Sequence, residues 1–141
     1  MSQRKQVGTS QRTRARDGDY ISVVSDLDEP YLSPGASSRH RLNFKLLTPL
    51  ELEVEFEVEC PGPGVLHYPD EAKVWNKTHT FGGFQPDLRI ANFDSTVTVH
   101  PDFAASGESK NQRLSLRTRA RCGQGPWRAD VELDHPVTIA E

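Results

Sequence analysis

Residues 50–60, LELEVEFEVEC, place Leu50, Leu52, Val54, Phe56, Val58 and Cys60 at every second position, with Glu51, Glu53, Glu55, Glu57 and Glu59 between them. On a pleated strand this alternation makes one face apolar and the other acidic, whereas a helix would scatter the same side chains around its circumference. The period outweighs the good helix propensity of glutamate and predicts a half-buried strand. RLSLRTRARC, 113–122, repeats the pattern, with Leu114, Leu116, Thr118, Ala120 and Cys122 on one side and Arg113, Ser115, Arg117, Arg119 and Arg121 on the other. WRADVELD, 127–134, alternates Trp127, Ala129, Val131 and Leu133 with Arg128, Asp130, Glu132 and Asp134. The CGQGP just before it supplies turn residues, so the second and third runs are expected to form a hairpin.

Shorter β-rich runs occur at 42–47, 65–68, 72–81, 88–93, 95–100 and 136–139, punctuated by PGPG, FGGFQPD and HPDFAASGESKN. No helical pattern exceeds two turns. These features predict an all-β domain, an antiparallel β-sandwich or jelly roll, with a closed barrel as the nearest alternative. Leu52, Val54, Phe56, Leu114, Leu116, Trp127, Val131 and Leu133 are its expected core. No internal repeat is read from the pattern.

Regular alternation begins only after Arg41. Residues 1–16 hold Arg4, Lys5, Arg12, Arg14 and Arg16 and no acid, while 17–34 hold Asp17, Asp19, Asp26, Asp28 and Glu29 and no base. PYLSPGASS, 30–38, is loop chemistry. These stretches predict a disordered charged tail over 1–38, basic through 16 and acidic over 17–29, followed by the β-sandwich domain at 39–141. Of 141 residues 35% are hydrophobic, which suits one small domain with a polar extension. A net charge of −3 does not by itself imply nucleic acid or membrane partners. No apolar run approaches the roughly 18 residues of a membrane span, and no apolar stretch follows the first charges, so a cytoplasmic, not transmembrane, protein is expected.

The five-Glu and Arg-rich faces fit two arrangements. They pair across neighbouring strands, each pair contributing roughly 0.2–1 kcal/mol, or the basic face of Arg113, Arg117, Arg119 and Arg121 meets an anionic partner. Cys60 and Cys122 lie on the apolar parity of their strands and are expected as buried free thiols. If those strands pair directly, the two sulfurs are separated by roughly 30 Å, beyond a disulfide's reach. His40, His67, His79, His100 and His135 show no HxH or HExxH spacing, so neither a metal site nor a cofactor is expected. HPD and DHP set acids beside imidazoles in turn contexts, and no GxSxG or phosphate loop is present, so catalysis is not expected and no catalytic residue is assigned. Asn76-Lys77-Thr78 fits a glycosylation pattern that reads as a chance match. Tyr20, Ser25, Tyr31 and Ser33 lie in acidic or proline contexts that suit kinase acceptors and short linear motifs.

Arg4, Lys5, Arg12, Arg14 and Arg16 ahead of a β-rich domain form an anion-binding arm, able to neutralise nucleic-acid phosphates or an anionic membrane surface while the domain self-associates or binds a protein. In organisation this resembles small viral matrix and coat proteins. The resemblance implies a non-catalytic structural or interaction protein, although the acidic block after the arm departs from strong genome binding. The alternative is an intracellular adaptor whose tail is a phosphorylation-regulated linear motif.

Overall fold

The computed structural model describes residues 12–48, 52–59, 66–67, 77–81 and 90–140. They form strands β1 (Thr13–Asp17), β2 (Ile21–Leu27), β3 (Tyr31–Leu32), β4 (Ser37–Leu46), β5 (Leu52–Glu59), β6 (Leu66–His67), β7 (Lys77–Phe81), β8 (Ile90–Val99), β9 (Asn111–Arg121) and β10 (Arg128–Ile139). The helical content of the described residues is one 3-10 turn, Gly107–Lys110. Sheet A has the order β1-β2-β4-β8-β6, and sheet B the order β3-β10-β9-β5-β7. All ladders are antiparallel except the two-residue pairing of β3 with β10. The fold is therefore a β-sandwich, as the alternating runs predict.

Alternate side chains of both sheets meet between the layers. Ile21, Val23, Leu27, Leu42, Phe44, Leu46, Val97 and Val99 of sheet A pack against Leu52, Val54, Phe56, Val58, Leu114, Leu116, Val131, Leu133 and Val137 of sheet B, all buried. Phe44, Phe56 and Phe93 join the layers, with ring centroids 4.9–5.5 Å apart.

The boundary expected near residue 38 is corrected. β1 and β2 form a hairpin, and Ile21, Val23 and Leu27 are wholly buried, so folded structure includes residues from Thr13 onward. Of the charges that suggested a tail, Arg14, Arg16 and Asp17 belong to β1 and Asp26 to β2, while Asp19, Asp28 and Glu29 lie in the connections between strands. Residues 1–11, including Arg4 and Lys5, lie outside the described residues, as do Cys60 and Asn76.

Trp127 is a second correction. The β9/β10 register changes between Ala129 and Glu132, so Asp130 and Val131 together face Thr118. This β-bulge inverts side-chain parity ahead of it. Val131 and Leu133 keep their inward places, whereas Ala129 turns out and Trp127 lies half-buried under the guanidinium groups of Arg119 and Arg121, 4.7 and 4.5 Å from its ring centroid. The Thr118 hydroxyl fills the bulge, accepting the Val131 N–H at 2.8 Å. Cys122, expected inside, is exposed, because β9 ends at Arg121 and the chain leaves the sheet there.

Candidate functional site

The bulge aims the Asp130 carboxylate at the β1–β2 turn. It accepts the backbone N–H groups of Asp19 at 2.7 Å, Tyr20 at 3.3 Å and Ile21 at 3.0 Å, and so ties the first hairpin of sheet A to sheet B. Gly18 leaves the room for it: a Cβ there would stand 2.5 Å from the carboxyl group. The hairpin is thereby fixed against the sandwich with a defined outer edge.

Two bonds set the phase of that hairpin. Gly18 N–H donates to the Ile21 carbonyl and Leu27 N–H to the Arg12 carbonyl, so the even residues of β1 are hydrogen-bonded to β2. The backbone groups of Thr13, Ala15 and Asp17 point the other way. β1 is the edge of sheet A, these three residues are exposed, and no other described strand pairs with them. Arg14 and Arg16 stand opposite Ser25 and Val23, on the side of the sheet that faces the sandwich interior. There Arg16 donates to the Glu132 carbonyl of β10 at 3.2 Å and covers part of that strand's free edge. Arg12, Arg14 and Arg16 are thus not a mobile arm but residues of β1 and the position before it.

The second basic face is occupied from within. β5 and β9 set Glu53, Glu55 and Glu57 directly opposite Arg121, Arg119 and Arg117. Arg121 binds Glu53 and Arg119 binds Glu55, each at 2.5 Å; Arg117 contacts Glu57, whose side chain is only 5% exposed; Arg113 lies 3.7 Å from Asp134. Pairing across strands is therefore the arrangement adopted, and it neutralises the guanidinium groups an anionic partner would need.

Of the modification candidates, Tyr31 and Ser33 are exposed and Tyr20 is half-buried against the core. Ser25 is sealed inside. Its hydroxyl lies 2.7 Å from His40 Nε2 and 2.8 Å from His135 Nδ1, joining β2 and β4 of sheet A to β10 of sheet B. One O–H and neutral rings suffice, since the hydroxyl donates to one imidazole while accepting from the other. Burial first, then the neighbouring His135, lowers the His40 pKa from 6.5 to about 3, with Asp26 opposing weakly. Serine and histidine are the chemistry of nucleophilic catalysis, but all three residues are about 1% exposed, so substrate has no route to the hydroxyl. The network was not legible as a site because its members are 15 and 110 residues from Ser25. No group of three or more metal-ligating side chains gathers among the described residues.

No protein-family model and no curated protein matches the sequence. Solved structures do match the fold. A chain of the complex formed between zinc 2-glycoprotein (ZAG) and prolactin inducible protein from human seminal plasma is similar at a TM-score of 0.54 and 8% identity, the match covering 87% of this chain and 96% of that one. The ASH/PapD-like domain 7 of human CEP192 matches at 0.48 and 7% identity, covering 94% and 88%, and a FixG-related protein from Vibrio parahaemolyticus at 0.45 and 11%, covering 84% and 94%.

Proposed function

We propose that this chain is a non-catalytic interaction module that binds a partner protein by adding one of the partner's strands to sheet A at β1. The observation that carries the reading is the outer row of β1, where Thr13, Ala15 and Asp17 are exposed residues whose N–H and C=O groups are directed away from β2. Such a row is a template for another strand, and backbone bonds supply affinity while alternate side chains supply specificity. The clip from Asp130 supports the reading, because a fixed edge loses little further entropy when a strand joins it. The similar fold solved in the ZAG and prolactin inducible protein complex belongs to a protein that engages another protein. The anion-binding arm is the weaker reading, since Arg12, Arg14 and Arg16 lack a free arm's reach.

Selection of extended peptides from a random library against the full chain tests this. Ala15→Pro removes an outward N–H without touching a bond to β2. Selected peptides are expected to bind the parent and lose at least about tenfold in affinity for Ala15→Pro. Peptides that bind both alike would refute the edge reading.

A further inference from the structure

The pentapeptide RTRAR at Arg12–Arg16 recurs letter for letter at Arg117–Arg121, so the expectation of no internal repeat is corrected at this length. In β9 the copy has a strand on each edge. Arg117, Arg119 and Arg121 there stand opposite Glu57, Glu55 and Glu53 of β5 and contact those carboxylates. In β1 the same letters have a neighbour on one edge only. Arg14 and Arg16 face Ser25 and Val23, neither of them a carboxylate. Arg14 has no ion pair among the described residues, and Arg16 reaches only the backbone carbonyl of Glu132.

We infer that the strand received by β1 carries carboxylates at alternate positions, set against Arg14 and Arg16 as β5 sets its glutamates against β9. The inference rests on the edge reading above and names the partner's chemistry. Because the odd residues of β1 hold the outward backbone groups, Arg14 and Arg16 fall at the non-hydrogen-bonded positions of an added antiparallel strand. Facing side chains are closest at those positions, with Cα atoms about 4.5 Å apart, so charge is read most strongly there. Of the nearby acids, Asp130 lies on that side, against Gly18, where it is held by the N–H groups of Asp19, Tyr20 and Ile21, and one carboxylate against Arg14 and Arg16 leaves the side positive. Asp134 pairs toward Arg113 and Glu132 stands opposite Arg117, both on the outer face of sheet B, while Asp26 binds the Thr13 hydroxyl and Arg41 on the outer face of sheet A. A second copy of this chain is the poorer occupant. Two-fold pairing of β1 with itself about Ala15 would set Arg14 against Arg16 of the other copy, like charges directly opposed.

The test titrates the full chain at low salt with three end-blocked octapeptides, (Thr-Glu)4, (Thr-Gln)4 and (Thr-Lys)4, reading fluorescence anisotropy and amide exchange. The glutamate peptide is expected to bind about tenfold or more tighter than the lysine peptide, with a gap that narrows as salt rises. It should also slow exchange at Thr13, Ala15 and Asp17. Arg14→Glu with Arg16→Glu is expected to reverse the order, and the milder Arg14→Gln with Arg16→Gln to abolish the preference. Equal binding of all three peptides, with those amides slowed, would overturn the acidic partner and leave the edge reading standing. No slowing by any peptide would overturn both. A dimer whose Thr13, Ala15 and Asp17 amides are slowed without peptide would put a second copy on the edge and overturn the inference.

Discussion

Acidification provides a quantitative check on the buried Ser25–His40–His135 network. His40 takes up a proton near pH 6.5 in the unfolded chain, but in the folded protein burial and the facing His135 delay this to about 3. The unfolded state therefore binds the proton first, and folding stability falls as pH drops through 6.5 and continues to fall until about 3. Each pH unit in that window costs about 1.4 kcal/mol, so going from pH 7.5 to pH 5 removes about 2 kcal/mol, a large part of the margin of a small domain. Other groups titrate too, and the His40 contribution is isolated by comparison with His40→Gln, which keeps an amide donor near the Ser25 hydroxyl and has no charge to gain. Urea unfolding of both proteins at pH 7.5, 6 and 5 should show the parent losing about 2 kcal/mol more than the variant across the range. Parallel pH slopes for the two proteins would refute the reasoning. So would a folded-state imidazole resonance of His40 that titrates near 6.5.

Two further expectations concern the clip and the ladder. Asp130→Ala removes the acceptor of three backbone N–H groups and should cost about 2–3 kcal/mol in chemical unfolding; Gly18→Ala should be costly in the parent and much less so in the Asp130→Ala background, because its clash is with that carboxylate. Arg117→Gln leaves the covered Glu57 carboxylate without its cation and should cost about 2 kcal/mol, whereas Arg113→Gln, which loses only an exposed 3.7 Å pair, should stay within about 0.5 kcal/mol.

What could be read from the sequence depended on whether inward positions were apolar. In β5 and β9 every inward residue from Leu52 to Val58 and from Leu114 to Ala120 is apolar or threonine, and both strands were legible, with their charge ladder as one of two arrangements the faces allowed. In β2 the inward row is Ile21, Val23, Ser25 and Leu27 with Val24 facing out, and in β4 it includes Ser38 and His40. Polar residues at those inward places hid β2 and the first half of β4, whose second half was read as the run at 42–47, and moved the apparent boundary to residue 38. Ser25 and His40 are inside because they bond each other and, across the layers, Ser25 bonds His135, a fact visible only once β2, β4 and β10 are brought together; Ser38 accepts the Glu29 N–H. Trp127 was misplaced for another reason, since a one-residue bulge inverts parity without a mark in the alternation. Asp94, outward on β8, likewise looked like a break in what is one strand from Ile90 to Val99. The candidate edge followed the same rule: RTRAR read as basic tail until pairing with β2 showed which of its backbone groups are left over.

Residue-resolved amide exchange of β1 in the free protein tests the central claim most directly. A folded edge strand open on its outer side predicts alternation, with slow exchange at Arg14 and Arg16, whose N–H groups bond to β2, and fast exchange at Thr13, Ala15 and Asp17. Uniformly fast exchange from Thr13 to Asp17 would return this segment to a disordered arm, and uniformly slow exchange would show the edge already covered; either pattern contradicts a β-sandwich that offers β1 to a partner's strand.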